Sequence, residues 1–466
     1  MRIFYMLLFC FLGNILNAQD ANLYRVSTIA SVKINPAYNI GENKILFSLP
    51  LLCVEVNGSM GGLSYNDIID KSSYGSDGKL AVDLNKIYTN MDNTSIFSSG
   101  GQVNLFSFIT SNQKGSFMFS VNEVFYHQQL FHKEMLDIVL NGFTIEPNES
   151  NTLAYRNKNT GPVSLDLMHY REFAFGFQRN ISSDLRFGFR MKLLTGLASV
   201  SSSNAYIKSS SKSLDRLDID VNMNVNVSAP ISYELYKNDF SGSRFRNFEY
   251  NFDSSYWFNF DNLGLALDLG LEYAPSKRWL LFVSLLDLGS ISYKSNVSQI
   301  YTNSKIQLEG ADISNSINED NIQYLPFDKA VQAMIEKTDS QLELKNMSHP
   351  FSQTLPLHFN FGSTYLFTKN FESYVWLNMQ SYQGVFSIVP TIGLRYCYKY
   401  FRVSTNCGWR YDNPTFGFSS NLDIGNWSIY GSISNISPLT SINSPLHSSV
   451  SFGVYFVLDR HESHVY

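Results

Sequence analysis

Between Leu185 and Leu193 the chain alternates without a break. Leu185, Phe187, Phe189, Met191 and Leu193 are apolar, and Arg186, Gly188, Arg190 and Lys192 lie between them. A β-strand sends successive side chains to opposite faces, so this segment has one greasy face and one basic face. A helix would mix the two sets around its circumference. The same period runs through Ile219, Val221, Met223, Val225 and Val227. It recurs in Leu263, Leu265, Leu267, Leu269, Leu271 and Tyr273, interleaved with Asp268 and Glu272. It appears again in Ile392, Leu394, Tyr396 and Tyr398, interleaved with Arg395 and Lys399, and in Phe452, Val454, Phe456 and Leu458.

Alternation alone also describes a soluble β-sandwich or an adhesin. Three features favour a bilayer. Several alternating runs are about ten residues long, the length that crosses a membrane at a tilt. Aromatic residues fall near their ends, at Tyr273, Trp279, Phe367, Phe371, Tyr398, Tyr400 and Trp427, where interface girdles lie. Composition agrees: charged residues are 16% of the chain and aromatics 15%, while about 25% charged is usual for soluble proteins. Mean hydropathy is only −0.12, which suits strands that meet lipid on one face.

Short connections fall at Arg179–Asp184, Ala274–Arg278, Thr368–Asn370, Lys399 and Gly425-Asn426, and longer ones are expected after Leu288, Gln380, Cys407 and Asn435. Short turns face the periplasm and long loops face outward in such barrels. The pattern predicts an all-β protein, a transmembrane antiparallel β-barrel of roughly 14 strands with long external loops. The largest loop, Ser290–Ser352, is expected to carry strand extensions at Ile291–Tyr293 and Lys305–Leu308 and a helix-like stretch at Asp328–Lys337. A second long connection is expected over Tyr126–Leu165.

The N-terminus supplies an address. Met1-Arg2 is followed by the apolar run Ile3–Leu12 and a polar stretch ending at Ala18, the pattern of an export signal cut near that residue. No later apolar stretch reaches about 18 residues, so transmembrane helices are excluded. The chain divides into a signal peptide (1–18), a short N-terminal hatch-like segment (19–43) and the barrel (44–460), placed in the outer membrane of a two-membrane bacterium with its lipid as surroundings. Cys53, Cys397 and Cys407 form no disulfide framework; the last two read either as a pair across two neighbouring strands or, more commonly for such residues, as small apolar fillers. The net charge of −5 gives no reason for a nucleic-acid partner.

Glu172, Arg186, Arg190, Lys192, Asp268, Glu272, Arg395, Lys399 and Asp423 are assigned to the lumen. They read either as a charged pore lining or as internal ion pairs bracing a closed interior. His127 with His132, and His461 with His464, lack the further ligands of a metal site. Gly58–Gly62 has no following Lys-Ser/Thr pair, so it is not a phosphate loop. No carboxylate pair or nucleophile arrangement asks for catalysis, and no cofactor is implied.

Asn35-Pro36-Ala37, ahead of the first strand, reads either as a hatch element inside the lumen or as a turn leading into that strand. The element resembles fatty-acid-transporter type barrels. A more specific likeness follows in Lys44–Pro50 with Val54–Ser59, in Tyr170-Arg171-Glu172-Phe173 continuing to Arg190–Gly196, in Leu285–Gly289, and in Thr354-Leu355-Pro356. In this order the blocks resemble domain-of-unknown-function family 5723 over nearly the whole mature chain. The resemblance implies an outer-membrane barrel related to the fatty-acid-transporter type, and no catalytic residues. Two roles stay open. One is passage or binding of hydrophobic small molecules, which expects an apolar pocket near the hatch and a kinked strand or lateral opening. The other is an anchor or accessory for secretion or surface assembly, with exported proteins as partners and a plugged lumen.

Overall fold

A computed structural model describes residues 23–70, 81–141, 145–147, 153–155, 159–161, 163–213, 216–238, 242–250, 254–309, 345–410 and 413–459. The export signal, the helix-like stretch Asp328–Lys337 and the tail histidines lie outside the described residues.

The wall is one antiparallel sheet closed into a ring. Its strands are β1 (Lys44–Ser64), β2 (Thr94–Asn112), β3 (Gly115–His132), β4 (Val163–Asn180), β5 (Leu185–Ser213), β6 (Arg216–Ser228), β7 (Leu263–Ser276) and β8 (Trp279–Tyr293). They continue with β9 (Val297–Glu309), β10 (Leu357–Leu366), β11 (Phe371–Tyr382), β12 (Val385–Tyr398), β13 (Phe401–Arg410), β14 (Asn413–Ile424), β15 (Trp427–Ile433) and β16 (Pro445–Asp459). β16 pairs back onto β1, which leaves no free edge.

The sheet has 18 strands, of which Lys345–Met347 and Phe351–Thr354 are short lead-ins to β10; that leaves 16, against the roughly 14 expected from the turn pattern. The excess lies in the external half. There β6 replaces β7 as the partner of β5, and β9 continues the line of β8 to flank β6. Two strands are thus stacked above others rather than added to the circumference. The Ile219–Val227 alternation belongs to this external extension, where its side chains are mostly half-buried on both faces.

All five short connections read from the sequence are tight turns on one side, joined there by Gln113-Lys114. The long excursions lie on the other side, with three corrections. No long loop follows Gln380: β11 runs to Tyr382 and turns through Gln383 and Gly384, both at positive φ, a tight hairpin geometry. β13 likewise runs past Cys407 to Arg410, and β14 begins at Asn413. The Tyr126–Leu165 connection is shorter than expected, because β3 continues to His132 and β4 starts at Val163.

The two faces of the wall meet different surroundings. Met191, Leu265, Val375 and Ile392 are 53, 62, 57 and 60% exposed on the outside, while Arg190, Lys192, Asp268 and Trp376 are buried within. An apolar exterior of this extent needs hydrocarbon around it. Near the short turns the band ends in touching aromatics, among them Trp279 with Tyr365 (4.9 Å) and Trp427 with Phe456 (5.0 Å). Among the described residues no helix is long and apolar enough to cross a membrane; the strands do the crossing. Among the described residues Cys53, Cys397 and Cys407 are free; Cys397 stands opposite Arg402 and Cys407 opposite Ile392, so the two do not meet across their strands.

Met191→Arg, placed midway along the apolar band, is expected to lower folding stability in vesicles by about 2–4 kcal/mol. The same substitution at Asn370 in a turn is expected to change it by less than about 0.5 kcal/mol. Urea titration of the vesicle-folded protein measures both.

Candidate functional site

The segment ahead of β1 enters the lumen. Leu23–Val26 forms a turn that leads into helix α1 (Thr28–Ile34). Ser31 ties the two together: its hydroxyl donates to the Ser27 carbonyl (2.6 Å) and accepts from the Arg25 N–H (2.8 Å). Leu23, Tyr24, Ile29, Val32 and Ile34 pack against Ile109, Met118, Phe282, Tyr374, Trp376, Tyr430 and Tyr455 from strands around the ring. The Tyr24 ring lies 4.5 Å from that of Phe282 and 5.4 Å from that of Trp376. Large buried aromatics of this kind supply most of the packing energy of such a contact.

Asn35-Pro36-Ala37 rests on the inner wall. The Asn35 Oδ1 accepts from the Ala37 N–H at 2.9 Å, an Asx turn, and its amide Nδ2 donates to the Leu271 carbonyl of β7 at 3.3 Å. The Ser284 hydroxyl of β8 donates to the Ile34 carbonyl at 2.7 Å. The wall is flat at this point because Gly188 and Gly270 are directly opposed in β5 and β7. A Cβ on Gly270 would lie 2.0 Å from Asn35 Oδ1, and one on Gly188 would lie 2.2 Å from the Pro36 oxygen.

Most of the charges assigned to the lumen face inward and meet partners. Arg190 pairs with Asp268 at 2.6 Å. Lys192 reaches Glu172 and Asp268 at 3.1 Å each and Asp287 at 2.5 Å. Arg186 meets Glu272 at 3.0 Å, and Glu272 also accepts from the Tyr24 hydroxyl. Arg395 pairs with Glu372, which Arg25 of the lumen segment approaches at 3.4 Å. Arg402 and Asp423 meet at 2.7 Å near the short-turn end. Lys399 is not among them. It is exposed in the β12–β13 turn at φ 43°, with its ammonium 5.6 Å from the centre of the Tyr398 ring. The alternation that places Arg395 inward ends at this turn.

The sequence reading missed Tyr24, Arg25, Lys33, Glu55, Asp287 and Glu372. Strict alternation after Leu280, Phe282, Ser284 and Leu286 sends Asp287 outward. The chain instead bulges there, with Asp287 at φ 64°, and its carboxylate turns in to Lys192. Beyond the bulge the inward set becomes Ile291 and Tyr293.

A cavity of about 120 Å³ lies on the long-loop side of α1. Its lining is mixed: Lys33, Glu55, Glu172, Arg190, Lys192 and Asp287 share it with Ala30, Val54, Val124, Tyr126, Tyr170 and Tyr430. This cavity is not the apolar pocket expected near the hatch; a smaller space of about 20 Å³ on the other side of α1 is lined mainly by Ile29, Val32, Ile109, Met118 and Phe119, and the apolar cluster of Tyr126, Tyr170, Leu194, Ile291, Tyr293 and Tyr382 is packed. Burial lowers the pKa of Lys33 from its ordinary value, opposed by the attraction of Glu55.

The β1 wall of this cavity is irregular. Ser48 pairs with Ser107 and Cys53 with Asn104, so the four residues Leu49–Leu52 stand against only Leu105 and Phe106. Pro50 removes a ladder donor here, and Leu51 sits at φ 65°, where a non-glycine residue is strained. The β1–β16 ladder pairs Lys44–Ser48 with Tyr455–Asp459, breaks, and resumes only at Ser64 opposite Pro445. Among the described residues no group of His, Cys, Asp and Glu is placed to hold a metal ion.

A closed wall with an apolar exterior and an N-terminal segment packed inside it defines a plugged transmembrane β-barrel. The model of a family of unknown function, DUF5723, matches residues 36–433, and the chain belongs to that family. No functionally curated protein matches. Among solved structures the chain is similar to the toluene transporter TbuX of Ralstonia pickettii, at 10% identity over 93% of this chain and 94% of that one, with a TM-score of 0.41. It is similar to the toluene transporter TodX of Pseudomonas putida, at 10% identity over 96% and 99%, TM-score 0.39. It is also similar to a FadL homologue of Pseudomonas aeruginosa, at 7% identity over 96% and 100%, TM-score 0.39.

Gly270→Val is expected to displace the Asn35–Ala37 turn while leaving the ring closed. The readouts are faster proteolysis between Leu23 and Ile40 and a higher single-channel conductance in a planar bilayer, with heat-dependent gel migration unchanged. Asp268→Ala leaves the buried Arg190 without its carboxylate, while Lys192 keeps Glu172 and Asp287, and is expected to cost about 3–5 kcal/mol in the same urea titration.

Proposed function

We propose that the protein resides in the outer membrane and passes small apolar or amphipathic molecules, with the Leu23–Ile40 segment as its hatch and Asn35, Pro36 and Ala37 as the seat of that hatch. The observation that carries this reading is the coincidence of the cavity with the β1 irregularity. Cys53, Val54, Glu55 and Asn57 line the cavity immediately after the bulge, and Tyr430 and Ser451 line it from β15 and β16. A molecule in the cavity is thus separated from the hydrocarbon by an irregular part of the wall. Strained backbone and broken pairing persist where the surrounding structure has a use for them. The paired lumen charges hold the wall around the hatch in this reading, and the mixed cavity suits a molecule with one polar end.

Deleting Pro50 and Leu51 sets two residues against two and restores regular β1–β2 pairing. Cells whose outer membrane carries this variant are expected to take up radiolabelled 1-octanol several-fold more slowly than cells with the natural chain, at equal amounts of folded barrel. Equal uptake rates would remove the bulge from the pathway.

A further inference from the structure

Lys33 and Glu55 differ from the other charges around the cavity. Arg190, Lys192, Glu172, Asp268 and Asp287 are matched among themselves at 2.5–3.1 Å. Lys33, on the last turn of α1, and Glu55, on β1 just past the bulge, line the same space and attract one another across it. Among the described residues neither makes an ion pair or a side-chain hydrogen bond. One cation and one anion therefore face the cavity without a contact partner, and Val54, Val124, Tyr126, Tyr170 and Tyr430 share its lining with them.

We propose that this cavity is a binding site for a small zwitterion with an apolar side group, its anionic group on the Lys33 ammonium and its cationic group on the Glu55 carboxylate. The proposal rests on the reading of the cavity as part of the passage and names what the passage selects. A neutral hydrocarbon would fill the space and leave both charges desolvated. A monoanion would satisfy Lys33 and place its charge near Glu55, and a monocation would do the reverse. A zwitterion answers both groups and adds no net charge to an interior whose remaining ions are already matched. The ring-bearing walls take the side group, because Tyr126, Tyr170 and Tyr430 come from three different strands and present large apolar faces.

Four probes that share one ring separate these cases: phenylalanine, phenylacetate, 2-phenylethylamine and toluene, titrated calorimetrically into the full chain in a nonionic detergent. Phenylalanine is expected to bind at least about tenfold more tightly than any of the other three, since each matched charge contributes a charge-assisted hydrogen bond. Lys33→Met is expected to bring phenylalanine to the affinity of 2-phenylethylamine, Glu55→Gln to that of phenylacetate, and Lys33→Arg to preserve the preference. Toluene binding as tightly as phenylalanine, or no binding by phenylalanine, overturns the proposal. So does a Lys33→Met variant that keeps the full phenylalanine affinity. If a variant does not fold, the ranking of the four probes on the natural chain decides. Normal 1-octanol uptake without phenylalanine binding sinks this proposal and leaves the passage standing; phenylalanine binding with unchanged uptake in the straightened β1 variant takes the bulge out of the pathway and leaves the zwitterion site standing.

Discussion

Hydrocarbon accepts no hydrogen bonds, and that single restriction governs the molecule. Every backbone N–H and C=O at membrane depth must find its partner in the wall, so the strands close into a ring. Closure creates an inside. Side chains that alternate away from lipid converge there, and those carrying charge must find one another because little water reaches them. The chain from Arg190 and Lys192 through Glu172, Asp268 and Asp287 follows from the ring as directly as the greasy exterior does.

The inner surface and the segment that occupies it are shaped to each other. Phe282, Trp376, Tyr430 and Tyr455 point inward from the wall, and Leu23, Tyr24 and Ile29 pack into one cluster with them. Opposite them, Gly188 and Gly270 give up side chains so that the Asn35–Ala37 backbone can lie against β5 and β7. Charge follows the same logic: Tyr24 and Arg25 reach Glu272 and Glu372, tying the segment to wall carboxylates that already hold arginines.

Much of this was legible in the sequence, for a physical reason. A period of two reports which solvent each face meets, and Leu185–Leu193 or Leu263–Tyr273 keeps it over a whole crossing. Family membership was also readable, from blocks such as Leu285–Gly289 taken in their order along the chain. The failures occur where the period slips. The bulge at Asp287 inverts the faces of β8, and Leu49–Leu52 does the same to β1, so Asp287 and Glu55 could not be placed by counting. Lys399 fails because a turn ends the alternation. Strand number was misjudged because β6 and β9 stack above other strands, a feature that depends on tertiary pairing. Lys33 sits in a seven-residue helix whose surroundings are made by strands hundreds of residues away.

The position of the lumen segment in the chain constrains how the barrel can be made. Leu23–Ile40 leads within a few residues into β1, and β1 is one of the two strands whose meeting completes the ring. Both of its flanks are then wall. A nascent sheet that still gapes between β1 and β16 lets this stretch swing in sideways, whereas a finished cylinder would require threading past the pairs that fill its bore. Biogenesis therefore couples two events that look separate in the mature protein: the last zipping of backbone to backbone, and the lodging of the amino-terminal stretch.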